Sequence, residues 1–221
     1  MKIVLVSFEA ITALDVVGPY EVLSRVPGAE VVFAGPHAGP VRTDNRVLGM
    51  QVDVALADVP HADVLLVPGG FGVDALMADP EGLADLRRLD RGAAFTTSVC
   101  TGALVLGAAG LLRGLEATTH WAYLEQLADF GATPVSRRVV RQGRVITAAG
   151  VSAGIDMALA LAAELSSEDV ARSIQLAIEY DPEPPFAEGH PRSASPERVA
   201  RVRAASAARR AARAAQNQAC K

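Results

Sequence analysis

The chain has 221 residues, half of them apolar, a formal net charge of -4 and only two cysteines, Cys100 and Cys220. That is enough apolar material for a large core in one domain, or one domain with an appendage, and it excludes a disordered chain. The two cysteines form neither a disulfide framework nor a paired metal-ligand spacing, so a reducing, cytoplasmic setting is expected.

Charge is unevenly spread. Residues 192–221 hold eight Lys/Arg against one acid, Glu197, so this stretch carries about +7 and the remainder about -11. An acidic main body is a poor nucleic-acid surface, and no nucleic-acid partner is expected.

The chain opens with Met1-Lys2-Ile3-Val4-Leu5-Val6-Ser7-Phe8, an apolar run too short for a signal-peptide core or a membrane span. It reads as a buried strand, and no membrane partner is expected. Similar runs bounded by Gly or Pro recur at 30–34, 63–67, 94–99 and 144–148. Continuous Val/Ile/Leu segments of this length predict parallel strands covered on both faces.

Helical stretches are predicted between them at about 15–26, 74–90, 101–109, 121–130, 152–165 and 167–179, with a β-hairpin at 40–56. This alternation is the signature of a doubly wound α/β sheet. Asp181 to Pro196 contains five prolines and reads as an extended connector. The Ala/Arg-rich stretch at about 196–217 has high helix propensity and a thin apolar stripe, which predicts a surface helix packed on the body or on a second subunit.

The segment Ala94-Phe95-Thr96-Thr97-Ser98-Val99-Cys100-Thr101-Gly102-Ala103-Leu104 joins a buried strand to a small-residue helix. This is the layout of a nucleophile elbow, in which a tight turn lifts one side chain above the sheet edge at some cost in strain. The helix start beside Cys100 would favour its thiolate, which predicts a pKa below the ordinary ~8.5. A small buried hydrophobe is the other role open to a lone cysteine.

Four further segments bear on that reading, each with a bland alternative. Val67-Pro68-Gly69-Gly70-Phe71-Gly72 could form an oxyanion cradle from backbone N–H groups or be an ordinary loop. Asp15, in Leu14-Asp15-Val16-Val17-Gly18-Pro19, is either a functional carboxylate or a first-turn acid stabilising its helix. Thr118-Thr119-His120-Trp121 puts a histidine near the same sheet edge, or one serving a structural hydrogen bond at a helix start. Gly150-Val151-Ser152-Ala153-Gly154-Ile155-Asp156-Met157 is a second strand-to-helix turn, open to a ligand or simply close-packed.

In this order and spacing the five segments resemble the ThiJ/PfpI superfamily over roughly residues 1–186. The resemblance implies a flavodoxin-like three-layer sandwich with a mostly parallel central sheet, a domain at 1–186 and an appendage at 187–221. It further implies a homodimer, no metal or organic cofactor, and a carboxylate from the first helix, here Asp15, meeting the elbow cysteine. Protease-like and many glyoxalase-like members carry Glu at that position and His after the cysteine. Asp15 and Cys100-Thr101-Gly102 instead resemble the isocyanide hydratases, which add water to an isocyanide to give an N-substituted formamide.

The chemistry thus implied is attack by Cys100 on the terminal isocyanide carbon, proton transfer by Asp15, and release of a covalent thioimidate by water. Thr101 would hydrogen-bond substrate or water. Gly70, His120, Gly150 and Val151 are the candidates for substrate or oxyanion binding. Glyoxalase- or deglycase-like aldehyde chemistry is one alternative. Another is a small-molecule-sensing domain related to AraC-type regulators, for which the roughly 35 residues beyond Phe186 are too few to hold two helix-turn-helix units.

Overall fold

The computed structural model describes residues 1–219. Cys220, counted in the sequence reading, lies outside the described residues. The chain divides into two units, one of Met1–Glu179 and one beginning at Tyr180.

The first unit begins β1 (Lys2–Val6), α1 (Ala13–Leu23), β2 (Glu30–Gly35), β3 (Gly39–Arg42), β4 (Gly49–Val52), β5 (Val54–Ala55) and β6 (Val64–Val67). It continues α2 (Val73–Met77), α3 (Pro80–Asp90), β7 (Phe95–Val99), α4 (Gly102–Ala108), β8 (Glu116–Ala117), β9 (Thr133–Pro134), β10 (Val139–Gln142), β11 (Val145–Ala148), α5 (Ala153–Leu165) and α6 (Glu168–Ala177). The second unit carries the predicted Ala/Arg helix, α7 (Pro196–Ala219).

Among the described residues, seven strands form the main sheet in the order β10-β11-β7-β6-β1-β2-β5, all parallel except the β10–β11 pair. The predicted apolar runs fill its middle. Every residue of β6 and β11 is buried, as is β1 from Ile3 onward. Helices α1, α5 and α6 pack together, as do α2, α3 and α4, and the two groups flank the sheet. The expected α/β sandwich is therefore present.

Chain order reverses about β1, with β2 on one side and β6 on the other. The carboxyl ends of parallel strands at such a reversal open a crevice between diverging connections, where ligands bind in this class of fold. The connections after β1, β6, β7 and β11 all leave from that edge, and they carry Asp15, Gly69 and Gly70, Cys100, and Gly150 and Val151 respectively.

Several expected elements are refined. The helix expected at 74–90 is two helices, because Asp79 caps a new start by accepting from the Glu81 N–H at 3.1 Å and Pro80 takes the first-turn position. Residues Trp121–Phe130 wind as 3₁₀ turns rather than an α-helix and stop at Gly131, which is left-handed with φ 76°. Strand β10 was not expected. It forms a two-residue hairpin with β11 through Gly143, whose φ of 60° suits the tight turn. The hairpin expected at 40–56 forms over 39–52 as β3 with β4, apart from the main sheet, while Val54–Ala55 joins that sheet as β5.

Candidate active site

Cys100 has φ 55°, a left-handed conformation that a residue with a side chain adopts only when its surroundings enforce it. Three contacts do so. Its N–H donates to the carbonyls of Ala149 at 2.8 Å and Ala148 at 3.1 Å, and its own carbonyl accepts the Thr119 hydroxyl at 2.6 Å. Gly102 lets α4 begin hard against the end of β6, since a Cβ there would lie 2.0 Å from the Val67 carbonyl oxygen. The elbow expected from the sequence is formed, with Cys100 at its apex and 6% exposed as a residue.

Asp15 is fully buried in the first turn of α1. One carboxyl oxygen, Oδ2, accepts the Gly69 N–H at 3.0 Å. The other, Oδ1, is buried without a well-aligned partner, and the Cys100 thiol is the side chain that interacts with the carboxyl. Burial raises the Asp15 pKa to about 7, opposed by the Gly69 N–H and by Cys100 and reinforced by the negative charge of Asp44.

The thiol does not behave as the sequence reading expects. The N–H groups of Val151 and Thr101 favour the thiolate, but burial, and after it the negative charge of Asp15, outweigh them and raise the Cys100 pKa. A helix of seven residues supplies a few backbone donors, not enough to offset the loss of water.

The remaining candidates fall in two groups. Thr101 is buried beside Cys100, and its Oγ1 accepts the Gly70 N–H at 3.1 Å. The oxyanion donor expected at Gly70 is thus committed to a side chain, and the N–H groups facing the sulfur belong to Thr101 and Val151. Gly150 lies against His120, whose Cδ2 would be 2.8 Å from a Cβ at that position. His120 Nδ1 accepts the Ala122 N–H at 3.3 Å, so the structural role foreseen for it is filled and the ring proton belongs on Nε2. Burial lowers the His120 pKa, which favours the neutral ring.

Sequence reasoning missed three residues around this site. Thr119 was seen only as part of a segment, yet it holds the elbow carbonyl. Thr12 and Asp44 carried no motif, and they meet through a 3.0 Å hydrogen bond from the Thr12 hydroxyl to Asp44 Oδ2. Asp44 falls within the hairpin expected at 40–56, but no local signal placed that hairpin against the entry to α1. Among the described residues no group of three or more His, Cys, Asp or Glu is arranged to hold a metal ion, and no helix is long and apolar enough to cross a membrane.

Known proteins share this arrangement of elements. An isonitrile hydratase from Pseudomonas putida is 47% identical over 187 residues, spanning 85% of this chain and 82% of that protein. The HTH-type transcriptional regulator CdhR of Pseudomonas aeruginosa is 36% identical over 138 residues, covering 60% of this chain and 40% of the regulator. A crystal structure of a ThiJ/PfpI family protein from Pseudomonas syringae superposes with a TM-score of 0.86 at 39% identity, over 92% of this chain and 83% of that one. The family model that matches residues 1–164 takes in the sheet, the elbow and the carboxylate of α1 together, and on that match the chain belongs to the DJ-1/PfpI family.

Proposed function

We propose that the protein hydrates isocyanides to N-substituted formamides, with Cys100 as nucleophile and Asp15 as the group that moves protons. The observation that carries this reading is the Asp15 carboxyl itself, fully buried, interacting with Cys100 and able to exchange a proton near pH 7. The similarity to an isonitrile hydratase over 85% of the chain supports the choice of substrate class.

The steps follow from the residue types. The Asp15 carboxylate takes the thiol proton as Cys100 Sγ bonds to the terminal isocyanide carbon, and the carboxyl returns that proton to the same carbon. The product is a thioimidate, R–N=CH–S–Cys100. Water then adds to this carbon; Asp15 accepts one of its protons and passes it to nitrogen. Collapse of the resulting R–NH–CH(OH)–S adduct breaks the C–S bond, releases R–NH–CHO, and gives the hydroxyl proton back to sulfur. One water is consumed and the thiol is regenerated.

Backbone N–H groups of Thr101 and Val151 lie at the sulfur and stabilise the charge that develops there during attack and departure. The neutral His120, with its proton on Nε2, stands by Gly150 as a donor to substrate or water. Thr101 acts chiefly through the loop after β6, since its hydroxyl is engaged with Gly70.

Steady-state conversion of an aryl isocyanide to its formamide, followed by absorbance, tests the proposal. Turnover lost in Cys100→Ala and in Asp15→Asn is the expected result. Full turnover in Asp15→Asn would sink the mechanism, and Cys100-dependent turnover of methylglyoxal without isocyanide hydration would replace it with aldehyde chemistry.

A further inference from the structure

We propose that Asp44 is a positioning residue for the Asp15–Cys100 pair: from the β3–β4 hairpin it holds the Thr12 hydroxyl, and its charge biases how the pair shares its proton. The proposal rests on the reading of Asp15 as the proton carrier.

The first support is geometric. Thr12 stands at the N-cap of α1 in extended conformation, where a threonine hydroxyl ordinarily accepts a backbone N–H from the first turn. It makes no such bond. Its hydroxyl donates instead to Asp44 Oδ2 at 3.0 Å.

The rest of Thr12 is tied to the site. Its N–H donates to the Gly69 carbonyl at 2.9 Å, and its carbonyl accepts the Asp15 N–H at 3.1 Å. Gly69 in turn donates to Asp15 Oδ2. Asp44 joins the same unit through its own N–H, which donates to the Ile11 carbonyl at 2.9 Å, and Ile11 bridges both Thr43 and Gly70. The hairpin, the loop after β6 and the entry to α1 are therefore joined in one hydrogen-bonded network.

The second support is the charge around Asp15. The elbow brings the Cys100 thiol, the loop after β6 brings only the Gly69 N–H, and the hairpin brings Asp44. The turn after β11 brings the Val151 N–H, directed at Cys100. Glu9 accepts the Arg42 N–H at 2.8 Å, and Asp156 pairs with Arg138. Asp44 is thus the carboxylate whose charge bears on Asp15, and a like charge favours the protonated form.

The test follows Cys100 labelling by iodoacetamide against pH, read by mass spectrometry on the full chain in a Cys220→Ser background, together with the pH profile of hydration. Asp44→Asn keeps an acceptor for Thr12 and removes the charge. The expected result is a midpoint lowered by about half a pH unit, with labelling about threefold slower above it because readier ionisation of Asp15 disfavours the thiolate, and with Asp44→Glu restoring the original profile. Thr12→Val keeps the charge and removes the hydrogen bond; a lower rate at an unmoved midpoint is expected.

Superimposable profiles for Asp44→Asn and the unmodified protein would overturn the proposal, as would a midpoint moved by Thr12→Val but not by Asp44→Asn. Labelling does not depend on the substrate. A protein that labels with the expected shift yet leaves isocyanide untouched would retire the hydratase reading and uphold the role of Asp44.

Discussion

The Thr119 hydroxyl donates to the Cys100 carbonyl across 2.6 Å, and this bond fastens the strained elbow to a segment outside its own strand and helix. Both groups are buried, so water cannot replace either partner. Thr119→Val keeps the shape and leaves that carbonyl unpaired, which should cost about 1–3 kcal/mol in urea-unfolding free energy. Hydration should slow as well, because Cys100 would lose one of three restraints on its left-handed backbone. An unchanged unfolding midpoint would show that the elbow does not need this bond.

The pH profile follows from Asp15. Its carboxyl must be ionised to accept the thiol proton, and burial raises its pKa to about 7. The kcat/KM for hydration should therefore rise with pH through about 7 and fall about tenfold per unit well below it. A flat profile between pH 5 and 8 would remove Asp15 from the proton-transfer step.

The same carboxyl sets a stability cost of the opposite pH sense. Between the ordinary carboxylate pKa and about 7, the folded protein retains a proton on Asp15 that the unfolded chain has released. That stabilising contribution is complete below the unfolded pKa and is lost as pH rises through the folded one. Asp15→Asn should accordingly be about 2–4 kcal/mol more stable than the unmodified protein at pH 8, with little difference at pH 4. Melting curves at the two pH values check this. A variant less stable at pH 8 would mean that the carboxylate is stabilised by more than the Gly69 N–H.

Gly69 makes room for the pair. A Cβ there would fall 2.6 Å from Thr101 N and Oγ1 and 2.8 Å from Asp15 Oδ2. Gly69→Ala should displace the carboxyl and reduce kcat by at least about tenfold, since sub-ångström misplacement of reacting groups is costly. It should remain folded, because the clash is confined to the crevice. Retention of full kcat would show that the loop yields without moving Asp15.

Local signals carried much of this protein. The apolar runs of β1, β6 and β11 were legible because strands buried on both faces must be apolar throughout. The elbow was legible because a small-residue helix has to follow Cys100 closely for Gly102 to pass the Val67 carbonyl. The family resemblance singled out Asp15 as the carboxylate facing the thiol. What was lost were short or edge elements: β10, whose Val139-Val140-Arg141-Gln142 is half polar, and the break at Asp79-Pro80 that a helical average smoothed over.

Protonation and the wiring of the site lay beyond the sequence. The helix-start argument expected a lowered Cys100 pKa, and the opposite direction results because burial acts on both members of the pair and no string of residues reports how little water reaches them. Thr12 and Asp44 are 32 positions apart and neither lies in a motif, so their hydrogen bond exists only because the hairpin folds back over α1. The sequence by itself determined the strand–helix alternation and placed a cysteine and a carboxylate on connections from one sheet edge, since periodicity and turn chemistry are local. Only the tertiary structure decided which donors reach the sulfur and which charges surround Asp15, because desolvation and hydrogen-bond direction depend on groups brought together from distant parts of the chain.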